Sequence, residues 1–206
     1  TVGNSSGTSG ITFNVNTGDG NDVVTVRSHA GTSVFNLGSG DDTLTVSSTT
    51  DTTAVNVLAG AGNDNITTRS GNDTVYLGSG SDTVATNAGW DLIYASGIGG
   101  GTQTIDGGSG VGNNADTNYG DTLFLTGSRD EYTVTYNSST GKYTITDLVP
   151  NRDGVLTTIQ IEKFVFAGDT ANIYYSNVDT TGATANSLRI INDVDNKPIV
   201  APVTLS

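Results

Sequence analysis

Apolar residues recur along this chain in short bursts separated by turns. Val24, Leu44, Ile66, Val75, Val84 and Ile93 each stand two residues after an aspartate. Alternating runs such as Phe13-Asn14-Val15, Val34-Phe35-Asn36-Leu37 and Ala54-Val55-Asn56-Val57 stop a few residues before the next turn. A period of two over so few residues predicts short strands rather than helices. Farther on, Tyr132-Thr133-Val134-Thr135-Tyr136 and Tyr143-Thr144-Ile145-Thr146 alternate on either side of a glycine-containing bridge, residues 137–142, and predict a hairpin. The stretch from Ile159 to Phe166 is a further strand candidate, rich in aromatic residues.

The turns repeat. Gly-x-Gly-x-Asp occurs as Gly18-Asp19-Gly20-Asn21-Asp22, Gly38-Ser39-Gly40-Asp41-Asp42, Gly60-Ala61-Gly62-Asn63-Asp64 and Gly78-Ser79-Gly80-Ser81-Asp82. Partial copies interleave at Gly71-Asn72-Asp73 and Gly89-Trp90-Asp91. Asp64, Asp73, Asp82 and Asp91 follow one another in equal steps of nine residues, the length of one turn plus one short strand. Two such steps make one coil of a two-sided spiral. The longer steps from Asp22 to Asp42 and on to Asp64 are then full coils with extra residues in the opposite turn.

This arithmetic predicts an all-β fold: a right-handed parallel β-roll with turns on two edges. One edge carries the turns at Gly18, Gly38, Gly60 and Gly78, with a degenerate fifth at Gly97-Ile98-Gly99, where Gly101 stands for the expected Asp. The other carries those at Gly71 and Gly89, and its earlier members near His29-Ala30-Gly31 and Thr50-Asp51-Thr52 have lost the pattern. Asp106-Gly107-Gly108-Ser109-Gly110 ends the spiral on that second edge, its Asp-Thr-apolar ending delayed to Asp121-Thr122-Leu123 by an inserted loop. The roll is expected over residues 1–122 and an antiparallel β cap over 123–170, because a spiral's last coil otherwise exposes an open edge. Residues 171–206 are expected to be a tail or a linker to a following domain. The abrupt start and stop suggest a piece of a longer protein.

Composition sharpens this picture. Among 206 residues, 28 are Gly and 34% are hydrophobic, thin for a conventional core. Cysteine is absent, so no disulfide compensates, and metal is the next available staple. With 21 acidic against 8 basic residues the net charge is −13, which argues against nucleic acid or an anionic membrane as partner and for cations. No apolar run is long enough for a membrane-spanning helix, so no membrane insertion is expected.

The turns explain which cation. Glycine accepts positive φ and can turn backbone carbonyls inward, and the aspartate adds a carboxylate at the turn's end. Calcium takes six to eight oxygen ligands of mixed kind. One turn supplies about half, and the turn stacked on it one coil away supplies the rest. Each ion would sit between coils and join them, so folding is expected to require calcium. Several ions are expected, with calcium the principal partner and neighbouring domains or subunits of a larger surface protein as others.

The nine-residue pattern Gly-Gly-x-Gly-x-Asp-x-apolar-x resembles the RTX, or haemolysin-type, calcium-binding repeat over roughly residues 15–110. The first glycine of the pattern is replaced by Thr17, Leu37, Ala59 and Leu77. The segment 132–167 is similar to those that follow such repeats in bacterial secreted proteins. The resemblance implies metal-binding roles for Asp22, Asp42, Asp64 and Asp82, with Gly18, Gly20, Gly38, Gly40, Gly60, Gly62, Gly78 and Gly80 shaping their turns. On the second edge it implies the same for Asp73 and Asp91 with Gly71 and Gly89, Asp91 being completed by Gly108 and Gly110; Gly97 and Gly99 form the degenerate turn. It also implies export unfolded through a type I system without an N-terminal signal peptide, and folding outside the cell.

Other motifs carry less. Gly3-Asn4-Ser5-Ser6-Gly7 matches a nucleophile elbow in form but lacks the flanking strand and helix. His29 is the only histidine and sits in a degenerate turn. Trp90 fits packing against a loop better than ligand binding, the cap tyrosines fit strand-face packing, and 195–198 reads as a polar linker. No catalytic set is found. The expected function is therefore a non-enzymatic, calcium-folded module of a bacterial adhesin, surface-layer or other large exported protein. The rival reading is the C-terminal folding and secretion domain of a secreted protease, lipase or epimerase whose active site lies upstream.

Overall fold

A computed structural model describes residues 11–27, 31–47, 52–95, 99–108 and 120–167, together with the backbone of 173–178, 188–192 and 204–205. The expected features at residues 3–7, His29, Thr50-Asp51, Gly97-Ile98, Gly110, the inserted loop 111–119 and 195–198 lie outside the described residues.

The strands fall into two sheets, one on each side of a spiral. The first sheet holds β1 (Asn14–Asn16), β3 (Ser33–Asn36), β5 (Val55–Ala61), β7 (Thr74–Ser79), β9 (Leu92–Tyr94), β11 (Thr122–Leu125) and β15 (Lys163–Phe166), all paired parallel in that order. The second holds β2 (Val23–Val26), β4 (Thr43–Val46), β6 (Asn65–Thr67), β8 (Thr83–Ala85), β10 (Thr102–Asp106) and β14 (Val155–Ile159), likewise parallel. Odd strands pair with odd and even with even, so the chain winds as a parallel β-roll, as the repeat spacing predicts.

The core is a thin sandwich of ladders. Val24, Leu44, Ile66, Val84 and Ile105 stack on one inner face, and Phe35, Val57, Val75, Ile93, Leu123 and Phe164 on the other, all buried. These are the residues two places after the aspartates and their return-strand partners. A strand's alternation of faces puts one inward set opposite another at sheet-packing distance.

Close stacking makes glycine obligatory at the corners. A Cβ added to Gly60 would lie 2.0 Å from the Gly38 carbonyl oxygen, and one on Gly78 would lie 1.9 Å from that of Gly60. Gly60 also has φ of 101°, in the region L-residues avoid.

Beyond Leu125 the order is mixed rather than purely antiparallel. A hairpin of β12 (Tyr132–Asn137) and β13 (Lys142–Asp147) pairs antiparallel, and β13 pairs antiparallel with β14. β14 and β15 themselves return to parallel pairing with β10 and β11. The hairpin is thus an insertion in a sixth coil, and the roll's parallel pairing runs past 122. The stretch Ile159–Phe166 is likewise not one strand. It is cut by a corner at Gln160, whose φ is 55°. The chain has to turn there because Ile159 ends the second sheet and Lys163 starts the last coil of the first.

At this end charged hydrogen bonds fasten the insertion. Arg152 forks onto Asp147 through Nε and Nη2, both at 2.6 Å, and reaches Glu131 at 2.7 Å. Asp153 accepts from the Tyr132 hydroxyl at 2.6 Å and from Thr126. Tyr132 and Tyr143 are buried against Phe166 and Phe164, which is the strand-face packing expected of the cap tyrosines. The backbone of β16 (Ile173–Val178) pairs antiparallel with β15 and with β17 (Leu188–Asn192), and β18 (Thr204–Leu205) pairs parallel with β12.

The corner geometry separates two glycines of similar φ. Gly18→Ala meets nothing within 4 Å, whereas Gly60→Ala meets backbone oxygen. Gly18→Ala is expected to cost on the order of 1 kcal/mol from φ alone, and Gly60→Ala several. Thermal unfolding of both variants in calcium checks this, and equal losses would contradict the stacking argument.

Candidate metal centres

Every aspartate singled out by the turns lies at a corner and joins a row that climbs the coils. On the first edge the Asp22 amide donates to Asp42 Oδ1 at 2.7 Å, Asp42 to Asp64 at 2.9 Å and Asp64 to Asp82 at 3.0 Å. On the second edge Val55 donates to Asp73, Asp73 to Asp91 and Asp91 to Asp121, each at 2.8 Å. Each accepting side chain, Asp42, Asp64 and Asp82 on the first edge and Asp73, Asp91 and Asp121 on the second, thus reaches back one coil and occupies one of its two carboxylate oxygens.

The other oxygen is left over. Oδ2 of Asp22, Asp42, Asp64, Asp73, Asp82, Asp91 and Asp121 is buried without a hydrogen-bond partner. Burial pushes the carboxyls up: Asp64 and Asp91 to about 6, Asp73 and Asp82 to about 7, Asp121 to about 8. Hydrogen bonds offset part of this, and neighbouring carboxylates of the same row, such as Asp42 beside Asp64 and Asp91 beside Asp121, add to it. An uncompensated buried charge costs several kcal/mol, against about 1.5–3 kcal/mol gained by burying one apolar side chain. The five carboxyls raised in this way weigh against the ladder unless a cation satisfies them.

Among the described residues no three acidic, histidine or cysteine side chains converge on one point. Any ion here must therefore draw on backbone carbonyls as well as carboxylates, a donor set that suits calcium and not zinc.

The structure corrects one corner and adds several residues. Gly101, not Gly99, stacks on Gly80, since its Cβ would lie 1.5 Å from the Gly80 oxygen. The degenerate turn is therefore Gly99-Gly100-Gly101-Thr102-Gln103, and Gln103 rather than Gly101 holds the Asp place. Its Oε1 accepts from the Asp82 amide at 2.8 Å. The shift of two residues is invisible in sequence because Gly97, Gly99 and Gly101 alternate and any pair fits the motif. Asp121, which sequence reading noted as the late end of a turn, is the third member of the second row. Gly108 packs over Asn87 of the preceding coil.

A second ladder runs beside the first row, from the position just before each aspartate. Asn21 Oδ1 accepts from the Asp41 amide, Asp41 Oδ1 from Asn63 and Asn63 Oδ1 from Ser81, at 2.8–2.9 Å. These side chains reach forward one coil while the aspartates reach back. On the second edge Asn72 does the same for the amide of Trp90, whose residue is 40% exposed.

The early second edge is also explained. The register puts Ser33 and Val55 where Asp73 stands later, both buried. Val46 faces that corner from the second sheet, and in the following coils its place passes to Thr68, Thr86 and Gly107. The corner thus carries Ser33 and Val55 before it becomes acidic at Asp73, and the residue facing it changes from Val46 to Thr68 and Thr86.

A roll whose corners carry rows of half-satisfied aspartates is a calcium-binding β-roll. The model of the RTX calcium-binding nonapeptide repeat, in four copies, matches residues 56–84 and, overlapping them, 70–97. The chain therefore carries RTX calcium-binding repeats, and such repeats bind Ca2+ between their turns. The matched stretch contains the coils of 18 residues; the coil of 20 lies outside it and that of 22 overlaps it only in part. Of solved structures, the chain is similar to the AlgE6R3 subunit from the Azotobacter vinelandii mannuronan C5-epimerase, with 15% identity and a TM-score of 0.40, over 89% of this chain and 93% of that one. No curated protein matches the chain.

The raised carboxyls set a pH dependence for the calcium-free chain. Between the ordinary value of 3.8 and the folded values of about 6 to 8, the folded chain keeps protons that the unfolded chain has released. Stability contributed by these groups is then full below pH of about 4 and is lost as pH rises to about 8. The β signal of metal-stripped protein in far-UV circular dichroism is expected to fall across that window, and a signal rising with pH would contradict it.

Proposed function

We propose that the chain is a calcium-triggered folding and stiffening module of a larger exported bacterial protein, of the adhesin or surface-layer kind, and that it does no catalysis itself. The observation that carries the reading is the set of seven buried carboxylate oxygens, one from each row aspartate, that lack a protein partner. Asp22, Asp42, Asp64 and Asp82 hold ions on the first edge, with the turns shaped by Gly18, Gly20, Gly38, Gly40, Gly60, Gly62, Gly78 and Gly80. Asp73 and Asp91 do so on the second, with Gly71, Gly89 and the backbone at Gly108.

The ion's work is to neutralise the carboxylates and tie each coil to the next. Without it the corners repel and the thin core does not suffice. With it the stack becomes a rigid rod. Calcium is plentiful outside cells and scarce within, so such a module stays open until export and closes afterwards. The absence of cysteine leaves metal as the available staple, and the net charge of −13 fits a cation-binding module. The long row of coils supports a spacer joined to neighbouring domains.

Far-UV circular dichroism during a calcium titration, with magnesium as control, tests the reading. A cooperative gain of β signal with calcium alone is expected. A chain fully folded in chelator and indifferent to calcium would sink it. Asp64→Asn keeps an acceptor for the Asp42 amide but removes the charge; it is expected to lower the number of bound ions and the thermal gain calcium confers. An unchanged ion count would free Asp64 of the role given to it.

A further inference from the structure

Both rows end on a side chain one methylene longer than aspartate. On the first edge Gln103 follows Asp82 and accepts its amide at 2.8 Å. On the second Glu162 follows Asp121 and accepts its amide through Oε2, also at 2.8 Å. The register agrees: Thr122 pairs with Lys163, so Glu162 stands over Asp121. The two ends differ in charge and in what the remaining polar atom does.

Gln103 uses its second polar atom within the protein. Nε2 donates to the Gly80 carbonyl at 2.8 Å, an oxygen of the turn that ends in Asp82. The amide nitrogen stands where a cation would be needed and already engages the carbonyl. One coil later the place belongs to Leu156, which is fully buried. The first row therefore closes on a neutral group and then an apolar one.

The second row closes otherwise. Asp121 is fully buried and its Oδ2 has no partner. That oxygen faces the backbone of Gly107, in the place where the earlier coils carry Thr68 and Thr86. A Cβ on Gly107 would lie 2.5 Å from Asp121 Oδ2 and 2.2 Å from the Gln160 carbonyl oxygen, so oxygens of two successive coils converge on one small space. Glu162 folds over Gly120 with Oε2 on the Asp121 amide, and Asp106 adds its charge to the same corner. Burial raises the Glu162 carboxyl as well.

We propose that Asp121 and Glu162, with the Gln160 carbonyl, hold one further calcium ion at the last corner of the second edge, outside the repeats, and that Gln103 ends the first edge without one. The inference rests on the calcium reading above. It places an ion beside the inserted hairpin, between the last repeat coil and the segment that closes the roll.

Counting bound calcium per chain by native mass spectrometry at saturation tests it on the wild type, Glu162→Gln and Gln103→Glu. Glu162→Gln keeps the acceptor for Asp121 and is expected to bind one ion fewer; Gln103→Glu is expected to bind one more. A wild type that binds calcium while Glu162→Gln binds the same number overturns the terminal site alone. Gln103→Glu guards against a folding artefact in the first variant: an unchanged count there overturns the claim that charge at the row's end decides. A wild type that binds no calcium overturns the calcium reading and this site together.

Discussion

The structure depends on one constraint: a carboxylate that must serve two masters at each corner. One oxygen of every row aspartate after Asp22 is committed to an amide of the preceding coil. That bond sets the register and holds the side chain pointing inward, out of water. The other oxygen is thereby buried with nothing in the protein to meet it. The hydrogen bond that stacks the coils is the same feature that makes the stack electrostatically costly. The narrow interior cannot offset this, since each coil adds only a few inward apolar side chains. The metal requirement is thus a consequence of how the coils are joined and not an addition to a finished fold.

Much of this was legible locally. The nine-residue step, the glycines and the apolar residue two places after each aspartate lie within one turn, so a single sequence exposes them. They were enough to place Asp22, Asp42, Asp64, Asp73, Asp82 and Asp91 on two edges. What escaped lies between coils. Gln103 was hidden by three alternating glycines, and Glu162 sits 41 residues from its partner Asp121, with a hairpin between. The forward-reaching ladder of Asn21, Asp41 and Asn63 occupies a position the repeat leaves variable, where side-chain identity acquires meaning only once the coils are stacked. The purely antiparallel cap was expected because the hairpin has a strong local signal, whereas the parallel pairing of β14 with β10 is non-local and leaves little trace in sequence.

The two ladders on the first edge also give each coil a grip in both directions. Aspartate side chains bind back and the preceding Asn, Asp or Ser side chains bind forward, one row buried and the other at the surface. A slip of one residue would break both at once and turn every inward side chain out. Register is therefore specified by polar groups as well as by the core. That matters in a solenoid whose coils are nearly alike, where misaligned stacking would otherwise bury similar apolar area.

The end of the roll shows the alternative to metal. Past Asp82 the first edge turns to Gln103 and Leu156, and the coil that follows is fastened by Arg152 between Asp147 and Glu131 and by Asp153 beneath Tyr132 and Thr126. There each buried anion has its partner inside the chain. Asp153 accepts from three groups, and the Arg152 guanidinium answers two carboxylates while lying 5.0 Å over the Tyr132 ring. Such a closure calls for no ion, because its buried carboxylates are already hydrogen-bonded within the chain. The chain therefore divides by electrostatics more sharply than by strand order: corner rows whose anions need an ion from outside, and an inserted hairpin whose anions meet their partners within the chain.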